Sequence, residues 1–196
     1  MSGRERVAIL ISGRGSNMTA LIAAARDPAY PAEIALVIAN EPDAPGLATA
    51  EAAGIATLAI DHRPFGRDRA AHERAIDAAL TEARIGCVCL AGYMRLLTPV
   101  LTTRWAGRML NIHPSLLPAY PGLHTHERVL QAGETRHGCT VHLVTEVMDE
   151  GPILGQAEVP VLPGDTPETL AARVLAQEHV LYPAVLARYF ADRDCA

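Results

Sequence analysis

Aromatic residues are scarce in this chain, making up 4% of its 196 residues. A hydrophobic core must therefore be built from alanine, valine, isoleucine and leucine, and a hydrophobic share of 49% is ample for one. Basic residues are too few for a basic surface, because 17 lysines and arginines stand against 22 aspartates and glutamates. This balance argues against general binding to nucleic acids or membrane surfaces, although a helix start can still hold a single phosphate.

The chain also lacks long hydrophobic runs and a zinc-like cysteine pattern. The first apolar run, residues 7–11, is too short for a secretory signal, and no stretch reaches the length of a membrane span. Cys87, Cys89, Cys139 and Cys195 are not spaced as two pairs, the arrangement typical of zinc sites. We therefore expect buried, reduced thiols in a cytoplasmic protein.

Short apolar runs alternate with alanine-rich, amphipathic segments along the first part of the chain. This alternation predicts an α/β fold with a mostly parallel twisted sheet and helices on both faces. Two late apolar runs leave little room for a helix between them, which predicts antiparallel additions to the sheet. No repeat, low-complexity segment or linker interrupts the chain, so residues 1–196 are expected to form one domain. The predicted strands are 7–12, 34–39, 55–60, 87–91, 109–113, 140–145 and 156–161, and the predicted helices are 17–27, 47–53, 68–84 and 167–189.

The glycine-rich segment from Ser12 to Asn17 lies between a predicted strand and a predicted helix. Glycines there allow a tight turn and close approach of a ligand, and the free amides of a helix start can hold a phosphate. A tight turn with Ser16 or Asn17 as the helix cap explains the segment equally well. A dinucleotide site fits poorly, because Met18 replaces the third glycine and Asn40 replaces the ribose-binding acid. A ligand at this loop is therefore expected to present a single terminal phosphate.

A second polar segment closes the fifth predicted strand. Asn111 and His113 point to the same side of that strand, and Pro114 halts it at the edge where open α/β sheets bind ligands. A neutral amide donor and a titratable imidazole suit an oxyanion and a proton transfer. A structural polar pair at a strand end is the alternative. The acidic loop 144–155 is, by composition alone, an ordinary solvated loop.

Several histidines follow, but they do not complete a metal site. His124 and His126 flank Thr125, and His137 and His142 lie nearby. No carboxylate or cysteine joins them in a familiar ligand pattern. A Gly-x-Ser-x-Gly nucleophile motif is also absent. We therefore expect chemistry without a metal and without a covalent enzyme intermediate.

Five segments, in their order and spacing, make the chain resemble the folate-dependent glycinamide ribonucleotide formyltransferases of purine synthesis. They are ISGRGSN near the start, LAGYMRLL at 90–97, NIHPSLLPAYPGLHTHE at 111–127, HGCTVHLVTEVMDEGPILGQ at 137–156 and QEHVLYP at 177–183. The resemblance implies a Rossmann-like formyltransferase fold. It also implies formyl transfer from 10-formyltetrahydrofolate, as co-substrate, to the ribonucleotide amine. The expected partners of this protein are then small molecules, with no nucleic acid and no membrane. The protein is expected to be a monomer or homodimer.

The resemblance also implies roles for individual residues. The catalytic residues are Asn111, His113 and Asp149, the substrate phosphate is held by Gly15, Ser16 and Asn17, and the ribose is held by Glu178. The folate pocket comprises Met94, Arg95, Leu96, Leu97, Val144, Thr145, Glu146, Val147 and Met148, and the supporting residues are Thr140, His142 and His124. Arg67 and Arg69 are equal candidates for contact with the folate glutamate tail.

Two other functions compete with this one. A formyl-folate hydrolase would use water in place of the amine, and formate release without ribonucleotide would distinguish it. A regulatory module could have kept a nucleotide-binding fold without chemistry. The intact set of Asn111, His113 and Asp149 argues against that second alternative.

Overall fold

Seven strands form one sheet within residues 4–194, the part of the chain that the computed structural model describes. The strands are β1 (Glu5–Ile11), β2 (Ala32–Ala39), β3 (Ala56–Ala59), β4 (Cys87–Leu90), β5 (Met109–His113), β6 (Arg136–Leu143) and β7 (Ile153–Pro160). Their order across the sheet is β3-β2-β1-β4-β5-β6-β7. The first five run parallel, whereas β6 is antiparallel to both of its neighbours. The predicted mostly parallel sheet with antiparallel additions is thus confirmed.

Within the described residues, six α-helices surround this sheet. They are α1 (Ser16–Ala24), α2 (Pro45–Ala52), α3 (Arg69–Glu82), α4 (Pro99–Arg104), α5 (Thr125–Gln131) and α6 (Pro167–Asp194). Local sequence sets several of their starts, since Asp68 caps α3 by accepting the Ala71 N–H at 2.8 Å and prolines open α2 and α4. The last helix continues through Pro183 to Asp194, beyond its predicted end at residue 189.

Alternate residues of β1 pack on opposite faces of the sheet and give the fold two apolar layers. Val7 and Ile9 belong to a cluster that includes residues of α1 and α6. Ala8 and Leu10 belong to a second cluster, which includes residues of α3 and α4. Helices therefore cover both faces, as the alternating pattern predicts.

The cysteines that the structure describes are all buried. Cys87 and Cys89 share the first apolar layer, because residues two apart on a strand point to the same face, and Cys139 is buried in a separate apolar cluster. All three are free thiols, while Cys195 lies outside the described residues. Within residues 4–194, no helix is both long enough and apolar enough to cross a membrane.

The sequence pattern misses α4 and α5 and places the start of β6 too late. The two helices have six and seven residues, too short for a 3.6-residue period to repeat clearly. Strand β6 begins at Arg136 rather than at residue 140, because the buried polar residue His137 and the following Gly138 interrupt its apolar pattern. Helix α5 also lies within the stretch between β5 and β6, for which the sequence predicts no helix.

Candidate active site

The carboxyl ends of β1 and β4 border a cavity of about 320 Å³. Its lining is the glycine-rich loop 12–17 together with Ala91, Gly92 and Met94. The two strands are direct neighbours in the sheet, so the glycine-rich loop and the Met94 segment share one site. This edge is where open α/β sheets bind ligands.

Gly15 shapes the loop that enters α1. Its φ of 68° lies in the left-handed region that favours glycine, and no side chain caps the helix that follows. The amides of Ser16 and Asn17 therefore have no partner inside the helix. Free N–H groups and the positive end of the helix dipole favour an anion at this point.

The side chain of Asn17 is turned away from that role. Its Nδ2 donates to Oε2 of Glu178 at 2.7 Å, across 161 positions of the chain. Burial raises the pKa of the Glu178 carboxyl. The Asn17 Oδ1 atom is buried and has no hydrogen-bond partner in the described structure. The backbone amide of Asn17 is therefore free for a phosphate, whereas its side chain joins the loop to Glu178. This refines the role that the sequence predicts for Asn17.

Ser12 connects the end of β1 to the segment that carries Met94. Its hydroxyl donates to Oδ1 of Asn40 at 2.5 Å and accepts the Met94 N–H at 2.7 Å. Its backbone N–H also donates to the Gly92 carbonyl at 3.2 Å. Sequence reasoning did not assign Ser12 a role of its own, because its contacts come from two other strand ends.

Asn111 faces His142 across the antiparallel pair β5–β6. The Leu143 carbonyl lies 2.9 Å from Nδ1 of His142, and since a carbonyl only accepts, this nitrogen carries the proton. Burial lowers the pKa of the His142 ring, so the ring is neutral and its Nε2 is an acceptor. The Asn111 amide nitrogen, 3.2 Å away, donates to it. One further N–H of Asn111 remains available to a ligand.

His113 is buried, and each of its ring nitrogens faces an oxygen atom. Nδ1 lies 3.4 Å from Oδ2 of Asp149, and Nε2 lies 3.0 Å from the Tyr120 carbonyl. Both oxygens are acceptors, so only the doubly protonated ring donates to both of them. The sequence does not predict the contact between His113 and the Tyr120 carbonyl, because it depends on the path of the chain after Pro114.

Asp149 reaches His113 from a loop far away in sequence. Its φ of 60° is unusual for a residue with a side chain, and its Oδ2 accepts the Gly122 N–H at 2.9 Å. Its Oδ1 lies 3.7 Å from Nε2 of His142. The structure thus brings together the three residues that the resemblance implies for catalysis, with His142 beside them.

Thr140 anchors the chain that follows His113. Its hydroxyl donates to the Ser115 carbonyl at 2.6 Å and accepts the Leu117 N–H at 3.0 Å. Gln156 on β7 adds a hydrogen bond to the same hydroxyl at 2.9 Å. Thr140 therefore acts on backbone position, and Gln156 is a further supporting residue that the sequence pattern did not single out.

The segments implied for folate expose apolar side chains toward solvent. Met94 is 69% exposed, Leu96 60%, Val147 55% and Met148 54%, values unusual for residues of this kind. Exposed apolar side chains on neighbouring loops are typical of a binding surface. Arg69 donates to the Leu96 carbonyl at 3.3 Å, which places this arginine beside the surface.

Most other residues of segments 94–97 and 144–148 contact neighbouring parts of the protein. Leu97 and Val144 are partly buried and pack against the second apolar layer. The Thr145 hydroxyl donates to the Val147 carbonyl at 3.0 Å, and Glu146 accepts from Thr103 of α4 at 3.3 Å. Arg95 is half-buried between the exposed Met94 and Leu96.

The remaining histidines do not join the catalytic group. The His124 side chain is 74% exposed and lies 3.5 Å from Glu127. His126 and His137 form a pair with 3.0 Å between ring nitrogens, and burial lowers the pKa of His137 to about 4. Among residues 4–194 no group of three or more possible ligands is arranged to hold a metal ion. In the described structure, His124 makes no hydrogen bond to the residues around His113.

The amino-acid sequence matches one family closely. The family model described as formyl transferase covers residues 5–186. Phosphoribosylglycinamide formyltransferase of Escherichia coli (strain K12) is 45% identical over 186 residues, which are 95% of this chain and 87% of that protein. The trifunctional purine biosynthetic protein adenosine-3 of Bos taurus is 50% identical over 183 residues. That match spans 93% of this chain but 18% of the larger protein.

Solved structures give the same result for the fold. Phosphoribosylglycinamide formyltransferase from Brucella melitensis superimposes with a TM-score of 0.91 at 60% identity, over 95% of each chain. Glycinamide ribonucleotide transformylase 1 from Symbiobacterium toebii gives a TM-score of 0.90 at 45% identity, over 95% of this chain and 88% of that one.

Proposed function

The chain belongs to the formyl transferase family, and from this premise we propose that it formylates glycinamide ribonucleotide with 10-formyltetrahydrofolate. The products are formylglycinamide ribonucleotide and tetrahydrofolate, and the reaction is a step of purine biosynthesis. The observation that carries the proposal is the cluster of Asn111, His113 and Asp149 at the end of β5, close in the sheet to a loop suited to a phosphate.

The amine of the ribonucleotide attacks the formyl carbon directly. A negative oxygen forms on that carbon, and a relay water oriented by Asp149 accepts the proton that the attacking nitrogen loses. The bond to the folate nitrogen breaks as the carbonyl reforms, and the folate nitrogen receives that proton from the water. The free N–H of Asn111 donates to the developing oxyanion. Losing one such donor typically costs about 3 kcal/mol in the transition state.

His113 and Asp149 supply positive charge and proton handling beside the same carbon. When both ring nitrogens carry a proton, the ring donates to the Asp149 carboxylate, and its charge stabilises a nearby oxyanion. A direct hydrogen bond from Nε2 to the oxyanion requires the ring to release the Tyr120 carbonyl. No step needs a metal or a covalent bond to the enzyme.

The folate binds along the exposed apolar surface of segments 94–97 and 144–148. The exposed side chains of Met94, Leu96, Val147 and Met148 suit a flat ring system. We choose Arg69 over Arg67 for the glutamate tail, because Arg69 contacts the Leu96 carbonyl. The ribose meets Glu178, whose carboxylate is held beside the phosphate loop by Asn17.

Hydrolysis of formyl-folate is not favoured, because the relatives compared above are named for the ribonucleotide reaction or for purine biosynthesis. The chain spans less than a fifth of the trifunctional relatives, so their other activities are not assigned to it. The proposal includes a cytoplasmic location, which suits the three buried free thiols.

An assay with both substrates tests the proposed function. Purified protein is expected to release tetrahydrofolate from 10-formyltetrahydrofolate only when glycinamide ribonucleotide is present, in equal amounts with the formylated product. Formate release at the same rate without ribonucleotide would identify a hydrolase instead. Absence of turnover by folded protein with both substrates would contradict the proposal.

Gly15→Val is expected to weaken ribonucleotide binding by about tenfold to a hundredfold, since a β-branched residue is strained at a φ of 68°. A Cβ there would also lie 3.1 Å from Cε of Met18. Titration calorimetry with each substrate separately measures the effect, and folate binding should change far less. Gly54→Val is the matched control, because Gly54 also has a positive φ, a Cβ there meets nothing within 4 Å, and this glycine is not among the residues that line the cavity. Equal loss of both ligands by folded protein would show that the loop does not hold the phosphate.

A further inference from the structure

Arg14 is the only cationic residue among those that line the cavity at the start of α1. It is exposed, and its guanidinium makes no hydrogen bond or ion pair with any residue that the structure describes. The remaining lining residues are small, polar or apolar, without charge. An unpaired arginine beside free helix amides is available to a ligand of opposite charge.

Two other polar side chains of the loop already have hydrogen-bond partners within the protein. The Ser12 hydroxyl is bound to Asn40 and to the Met94 amide. The Asn17 amide group donates to Glu178. The helix start offers about half an elementary charge, whereas a phosphate monoester carries about −1.5 to −2 near neutral pH. Arg14 alone offers a full opposite charge from within the lining of this cavity.

A second feature points to the rest of the same ligand. Asn17 is 7% exposed, it lines the cavity, and its Oδ1 atom has no hydrogen-bond partner in the described structure. This oxygen only accepts, so it requires a donor such as a sugar hydroxyl and not a phosphate oxygen. A phosphorylated sugar presents both an anion for the amides and a donor for Asn17.

We propose that Arg14 pairs with the phosphate of the bound ribonucleotide and sets the preference of this protein for a phosphorylated substrate. The inference rests on the proposed function, because it takes glycinamide ribonucleotide as the occupant of the cavity. Arg14 neutralises the phosphate, while the amides of the α1 start fix its position. Asn17 and Glu178 then meet the sugar.

Arg14→Gln tests this pairing by removing the charge while keeping a polar side chain. The dissociation constants of glycinamide ribonucleotide and of its dephosphorylated riboside are measured by calorimetry at low and high ionic strength. The variant is expected to bind the ribonucleotide about tenfold more weakly, with riboside affinity within about twofold of wild type. Its ribonucleotide affinity should also depend less on salt. Arg14→Lys is expected to recover part of the loss.

Arg26→Gln is the matched control, since Arg26 is an exposed arginine just beyond the opposite end of α1. Ribonucleotide affinity within twofold of wild type in Arg14→Gln would overturn the inference while leaving the proposed function intact. If Arg26→Gln weakens ribonucleotide binding as much as Arg14→Gln does, the effect comes from the overall charge of the protein, and the inference is overturned as well. Wild-type protein that binds the riboside as tightly as the ribonucleotide would contradict both the inference and the assigned substrate.

Discussion

His113→Ala and Asp149→Asn are each expected to lower the turnover rate by about a hundredfold or more. The double variant should be little worse than the poorer single one. The reason is the 3.4 Å contact between Nδ1 of His113 and Oδ2 of Asp149, both largely buried. If the carboxylate acts by favouring the charged ring, its effect disappears once the ring is gone.

The Asp149→Asn variant removes the negative charge of this side chain and keeps its size and shape. Asparagine tolerates the left-handed backbone at this position, where φ is 60°, and its Oδ1 can still accept the Gly122 N–H. The loop should therefore keep its conformation, and thermal unfolding should change little. Ribonucleotide affinity should survive in all three variants, because the phosphate loop is a separate element.

Turnover under saturating substrates is the measurement, with ribonucleotide binding followed in parallel. Asp192→Asn, an exposed change near the end of α6, serves as the control and should leave turnover unchanged. Losses that multiply fully in the double variant would show that the two residues work independently. Near-normal turnover in His113→Ala would remove the histidine from the mechanism.

Asn111→Ala is the second large change and should lower turnover by about a hundredfold or more through loss of the oxyanion donor. Asn111→Asp should be at least as damaging, although it is nearly the same size. A carboxylate only accepts, so it offers no donor to the oxyanion and adds a negative charge where one develops. Affinity for each substrate should fall far less than turnover in Asn111→Ala.

The Asn111→Asp variant also tests the arrangement around His142. In the native protein the neutral His142 ring accepts the Asn111 amide at 3.2 Å, and burial lowers its pKa. A carboxylate at position 111 faces that lone pair and favours a proton on it. The pKa of His142, followed by NMR, is therefore expected to rise in Asn111→Asp and to change much less in Asn111→Ala. An unchanged His142 pKa in Asn111→Asp would contradict the hydrogen-bond assignment, and native turnover in Asn111→Ala would exclude the oxyanion role.

The local sequence pattern was sufficient to predict most of the strands and helices of the fold. The strand that ends in Asn111 and His113 runs over residues 109–113 as predicted, because two alternating polar residues close a short apolar run before a proline. The local pattern was insufficient for α5, whose seven residues carry no clear period. It also missed the start of β6, where the buried polar His137 and Gly138 interrupt the apolar pattern.

The sequence by itself determined the α/β class, the glycine turn before α1 and the residue types at the end of β5. These depend on spacing and backbone preference within a few neighbouring residues. Only the tertiary structure decided which partners those residues meet. Asn17 turns to Glu178 rather than to the phosphate position, and Asp149 arrives beside His113 from a distant loop. Such contacts follow from strand order and register, which bring together residues that local pattern treats as unrelated.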